Sequence, residues 1–211
     1  MYVKSRRSGR GAVSTKVERS EATKNRLERV GRELFATRGF ADVSAEELAA
    51  RANVTRGALY HHYDGKAGLF AAIVESEMRK LHGRLVTEAS RSSRSIDQLE
   101  RGVDAFLRGC AEPETQRILL IDAPAVLGWP AWREMDAKYG LGLLKRGLTE
   151  AMAAGQLRKQ DADVAAHILL GAMTEAAMLV ARAKQPENTR RAASRAIVSM
   201  IDSWKAAGRA G

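Results

Sequence analysis

The chain has 211 residues, 45% of them apolar and 5% aromatic, with a formal net charge of +10. That length holds one large domain, or a small domain joined to a larger one, and the apolar share suffices for a buried core. A single cysteine, Cys110, excludes a disulfide framework and any multi-cysteine zinc site, while few prolines and abundant alanine favour a mostly helical fold.

The positive charge favours an anionic partner, nucleic acid or an acidic membrane surface. It is concentrated at one end, since residues 1–66 carry 14 basic and 8 acidic side chains. The basic start lacks the apolar run of a signal peptide, and no window approaches eighteen apolar residues. The expectation is therefore a cytoplasmic protein with no membrane partner.

Residues 1–20 carry five basic residues before the first acid, with Gly and Ser among them, and read as a disordered arm. Such an arm either solubilises the chain or reaches DNA phosphates. Over 22–38, Leu27, Val30, Leu34 and Phe35 form one apolar stripe at helical spacing, and Gly39 follows at the position of a left-handed C-cap. Ser44 with Glu47 is a capping box for a short second helix that buries Leu48 and Ala49. Asn53 accepts a positive φ in the tight turn after it, and Thr55 is a good N-cap for a third helix running to about His62.

Further helices are expected from Lys66, over 96–109, from the start of "AEPETQR" through Leu120, over 132–154, over 161–183, and from an Asn188 cap to about Lys205. "DAPAVLGWPAW", with two prolines and a glycine, is expected to break the pattern.

Two short helices joined by a tight turn behind a longer amphipathic one have the layout of a helix-turn-helix unit. On the third helix Thr55, Arg56, Gly57, Tyr60 and His61 crowd the N-terminal and outward parts. Gly57 costs about 1 kcal/mol of helix stability against alanine, tolerable where the backbone must approach something large. Arg56 suits a phosphate or a guanine edge, and Tyr60 and His61 suit phosphate oxygens and sugars.

Catalytic readings find no support. His61 and His62 are adjacent and point about 100° apart on a helix, and His82 and His167 stand alone, so no metal or other cofactor is expected. There is no G-x-S-x-G elbow and no glycine-rich loop after a strand.

Residues 23–75 resemble the DNA-binding domain of the tetracycline-repressor (TetR/AcrR) family of bacterial regulators. The resemblance rests on Leu34, Phe35, Gly39 and Phe40 at the close of the first helix, then on Leu48, Ala49, Ala52, Val54 and Thr55 through the turn. It continues on Gly57, Leu59, Tyr60, His62, Tyr63, Lys66 and Leu69. Asn53 stands where many members have glycine. Residues 155–181, "GQLRKQDADVAAHILLGAMTEAAMLVA", are similar to a segment of some members.

The resemblance implies an all-α fold with a three-helix DNA-binding domain at 21–66 and a larger helical effector-binding and dimerisation domain at 67–211. It implies DNA contact from Ser44, Thr55, Arg56, Gly57, Tyr60, His61 and Lys66. A homodimer on a palindromic operator follows, because a single small module buries only about 600–1,000 Å². The candidate seam is Ala165, Ile168, Ala172, Met178 and Leu179 on one helix with Ala193, Ile197, Met200, Ile201 and Trp204 on the next. The candidate pocket is Leu119, Trp129, Trp132, Met135, Tyr139, Leu143 and Met173, apolar enough for a hydrophobic or aromatic effector, with the fourth helix as mechanical link. Two other readings remain open: a small-molecule-binding or transport-associated helical protein with a vestigial DNA-binding domain, and a nonspecific architectural DNA binder.

Overall fold

The computed structural model describes residues 10–206, and these are almost entirely helical. The chain divides into two compact units, Met1–Ile73 and Val74–Gly211. In the first, α1 (Arg10–Arg38), α2 (Ala45–Arg51), α3 (Arg56–Tyr63) and the start of α4 (Gly65–Ala89) pack around Leu27, Leu34, Phe35, Leu48, Leu59, Leu69 and Phe70. Phe35 meets Phe70 edge to face at 5.2 Å, and Phe40 closes the cluster at 5.0 Å from Phe70. α1 begins at Arg10, so residues 10–20, read from sequence as part of an arm, are helical. Polar composition favoured the arm reading, yet nothing in that stretch breaks a helix; residues 1–9 lie outside the described residues.

Local chemistry sets the turns of this unit. Ser44 Oγ accepts from Glu47 N and Thr55 Oγ1 from Ala58 N, so each caps its helix. Asn53 sits at φ 52° between α2 and α3, and Gly39 at φ 85° closes α1. At the α3–α4 junction Asp64 and Gly65 are both left-handed, with φ of 56° and 91°. Gly68 is required there by space, since a Cβ on it would lie 1.5 Å from the Tyr63 carbonyl oxygen.

The second unit packs the rest of α4, α5 (Ser95–Ala111), α8 (Trp129–Ala153), α9 (Ala162–Arg182) and α10 (Pro186–Ser203) around Ile96, Val103, Leu107, Leu148, Ala166, Leu169, Ala177 and Ile201. Between α5 and α8 lie α6 (Pro113–Thr115), a π-helical stretch Gln116–Asp122 and α7 (Ala123–Leu127), which run on without interruption, so the expected break narrows to one residue. Pro124 explains the π register. It has no N–H to give, and its ring would clash with the carbonyl four residues back in an α-helix. The Leu119 carbonyl, whose π partner would be Pro124, accepts instead from the Trp132 indole Nε1 at 2.8 Å. The chain turns only at Gly128, φ 81°.

α10 starts at Pro186 rather than at an Asn188 cap, because proline already presets φ at the first helical position. A short antiparallel bridge, Leu157 with Lys205, ties the α8–α9 loop to the end of the chain. The Gln156 side chain in that loop accepts from Ile96 N at 2.9 Å and so caps α5 from a distance.

α9 corrects the hydropathy reading of the sequence. It is long and apolar enough to cross a membrane by composition, with mean hydropathy 1.7, but half of that window is buried inside the protein. Its alanines add to the score of the Ile, Leu, Val and Met residues along the helix.

Candidate nucleic-acid interface and effector cavity

The exposed face of α3 is built from its first turns. Leu59 is fully buried and fixes the helix on the core. That rotation leaves Thr55, Arg56, Gly57, Tyr60 and His61 exposed and contiguous. A Cβ on Gly57 would meet nothing closer than the Thr55 hydroxyl at 3.8 Å, so no packing within the chain demands this glycine. Its effect is a bare patch of backbone on an exposed helix.

Arg56 is not free on this face. Nη1 lies 2.9 Å from Glu46 Oε1 at the start of α2, and the guanidinium stands 5.4 Å from the Tyr60 ring centroid. Tyr63, by contrast, belongs to the frame: it donates to Glu28 Oε1 at 2.8 Å, and burial with that bond pushes its phenol up. The His62 ring is half-buried and drawn below the usual imidazole value, chiefly by burial and then by His61.

Lys66, for which the resemblance implies DNA contact, is engaged within the free chain. Its Nζ donates to Phe40 O at 3.0 Å and to Val43 O at 2.9 Å. The α1–α2 loop ends with carbonyls that no helix satisfies, and the ammonium turns inward to them.

In the second unit a cavity of about 300 Å³ opens between α4, α5, the π-helical stretch, α8 and α9. Leu119, Trp132, Tyr139, Leu143 and Met173 lie on its wall, whereas Trp129 and Met135 do not. Trp129 is 56% exposed and stacks against Trp132 at 5.0 Å. On α8 the wall runs through 132, 136, 139, 140, 143 and 147, a helical stripe that takes Asp136 and passes over Met135. Asp136 carries no apolar signal in the sequence, and only its place on the α8 stripe puts it on the wall. The contributions of α4 and α5, such as Met78, His82, Leu85, Leu99 and Phe106, look in sequence like ordinary core.

The residues read as a dimer seam divide. Ala165, Met178, Ile197 and Ile201 are buried within the protomer. Ala172, Ala193, Met200 and Trp204 are half-buried, and Ile168 and Leu179 are exposed. Apolar periodicity marks every buried face of a helix alike and cannot assign a face to core or to partner. The exposed stripe on α9 consists of Val164, Ile168 and Leu179, each above half exposed, with Gly171, Ala172 and Ala176 between them.

A three-helix unit with an outward recognition-type helix, followed by a larger helical unit holding a cavity, has the layout of a helix-turn-helix regulator. Residues 29–73 match the family model of bacterial regulatory proteins, tetR family, and residues 96–204 match the tetracyclin repressor-like C-terminal domain. A crystal structure of a TetR-family regulator from Pectobacterium atrosepticum superposes with a TM-score of 0.82 at 30% identity, covering 91% of this chain and 98% of that one. The transposon Tn10 TetC protein of Escherichia coli is 24% identical over 73% of this chain and 78% of its own length. The repressor BepR of Brucella suis is 28% identical over 74% and 78%. The chain belongs to the tetracycline-repressor family of DNA-binding transcriptional regulators.

Proposed function

We propose that the protein is a homodimeric, cytoplasmic repressor that holds a palindromic operator and is released by a small, mainly apolar effector. The observation that carries the reading is the face of α3: Arg56, Tyr60 and His61 exposed around a bare Gly57, at the most basic end of the chain. A glycine that packing does not require, beside hydrogen-bonding and cationic side chains, suits close approach to a duplex. In this reading Ser44 and Thr55, whose oxygens already cap α2 and α3, offer their hydroxyl hydrogens to phosphates.

The exposed stripe of α9 supports pairing, because monomeric proteins rarely leave such a row of large apolar side chains in water. Two copies joined there bring two recognition helices to two half-sites, which sets the palindrome. The cavity in the second unit supports an effector site, and α4, which contributes residues to both units, is the path between effector and DNA. The effector must favour one of two states of the dimer for release to follow.

Selection from a random duplex library, followed by titration at fixed salt, tests the reading. One palindrome should be preferred by about 10³-fold or more over random duplex. Equal affinity for every duplex would leave an architectural binder; no binding at all would leave a vestigial domain.

A further inference from the structure

The cavity wall has an asymmetry in its polar groups. Most of its inner donors are already given away inside the protein. Trp132 Nε1 donates to Leu119 O at 2.8 Å, Thr174 Oγ1 to Asp136 Oδ2 at 3.2 Å, and Tyr139 Oη to Glu75 at 2.9 Å. Gln98 Nε2 donates to Ser92 O at 2.8 Å. His82 Nδ1 lies 2.6 Å from the Tyr139 carbonyl oxygen, which can only accept, so Nδ1 carries a proton and gives it to that oxygen.

What remains on the inner wall, besides the second N–H of Gln98 at the start of α5, is acceptor. Asp136 takes Arg133 Nη1 at 2.6 Å and Thr174 on Oδ2, while Oδ1 takes no hydrogen bond among the described residues. That oxygen is not sealed in, because no buried side-chain oxygen in the described residues lacks a partner. It therefore stands accessible on a wall that is otherwise mostly apolar. Burial holds the Asp136 carboxyl above its ordinary value, with Arg133 opposing, which accords with poor hydration there. The charged side chains elsewhere on the wall, Arg146 and Glu150, are exposed and of opposite sign.

We propose that the effector is an apolar molecule of aromatic size carrying an N–H or O–H donor, that Asp136 Oδ1 receives this donor, and that the cavity rejects carboxylates. This rests on the reading of the cavity as the effector site and narrows it to a chemical class. A donor satisfies an oxygen that water serves poorly, whereas an anion meets a second anion and finds only the second N–H of Gln98 to offset it.

Calorimetric titration of the full chain with four probes on one ring system tests it: naphthalene, 2-naphthol, protonated 1-naphthylmethylamine and 2-naphthoate. The amine and the naphthol are expected to bind about tenfold more tightly than naphthalene, and naphthoate more weakly than naphthalene. The alcohol and amine arms separate the two sources of the donor. In Asp136→Asn the oxygen stays with Arg133 and Thr174, and the amide N–H₂ faces the cavity. The order of amine and naphthoate should then invert. Naphthoate binding to wild type as tightly as the amine overturns the proposal, as does an unchanged order in the variant. The wild-type ranking reads the proposal even if the variant does not fold. If all four bind alike, the donor assignment alone falls; if none binds, the effector reading of the cavity falls and the assignment with it.

Discussion

The ammonium of Lys66 sits 4.0 Å above the ring of Phe40 and donates to the carbonyl oxygen of the same residue at 3.0 Å. One side chain thus closes the α1–α2 loop by two means, a cation over a π face and a hydrogen bond to backbone, with Val43 O as a second acceptor. A lysine at this position reads in sequence as a phosphate contact. In the folded chain its first duty is structural.

Lys66→Met is expected to lower stability by about 1–3 kcal/mol, because the Val43 carbonyl loses its donor and Phe40 O keeps only the Val43 N–H at 3.5 Å. Urea unfolding measures this, and the salt slope of DNA binding should stay unchanged. A variant of wild-type stability whose slope falls by about 1 would return the lysine to the phosphate.

Glu46 holds Arg56 at 2.9 Å, and on the proposed operator it would compete with DNA for the guanidinium. Glu46→Gln should free the guanidinium and remove a negative charge from the DNA-facing side, raising operator affinity by about two- to fivefold at low salt. Arg56→Ala should lower it without changing the melting temperature. Gel shifts at two salt concentrations read both; weaker binding by the Gln variant would mean that Glu46 orients Arg56 rather than restrains it.

Trp132→Phe retains most of a side chain that is 1% exposed but leaves the Leu119 carbonyl without its donor. The expected cost is about 1–3 kcal/mol. Hydrogen exchange should rise over Gln116–Asp122, where the π register depends on that bond. Unchanged protection there would show that Pro124 alone holds the register.

Glu187 accepts from Arg190 and Arg191, and these bonds draw its carboxyl down from 4.5 to about 2. A depressed carboxylate contributes stability that is fully present above its unfolded value and is lost as pH falls through the folded one. Wild type and Glu187→Gln should therefore differ in melting temperature at neutral pH and converge between about pH 4.5 and 2. A difference that persists at pH 2 would place the effect elsewhere than in this charge.

The α9 stripe and the α10 core separate pairing from folding. Ile168→Glu with Leu179→Glu should leave the melting of a helical protomer intact while giving monomers by sedimentation, since both side chains are more than half exposed. Ile197→Ala removes a 5% exposed side chain and should instead cost about 2–5 kcal/mol of protomer stability. A dimer that survives the double charge substitution would move the seam away from α9.

The sequence by itself determined whatever depends on near neighbours in the chain. Ser44 and Thr55 cap their helices, and Asn53 and Gly39 take positive φ, each through contacts within a few residues. The helix-turn-helix was legible for that reason, and so was the face of α3. Tertiary structure decided what depends on which of several similar surfaces finds a partner. Apolar stripes on α9 and α10 look alike in sequence, yet packing buries Ile197 and Ile201 and leaves Ile168 and Leu179 in water. Lys66 finds carbonyls at positions 40 and 43, Gln156 caps a helix that starts at Ser95, and Asp136 enters an apolar wall through its place on the α8 stripe. Hydrophobic burial is non-directional, so periodicity gives the apolar face of a helix and only the assembled chain gives what that face meets.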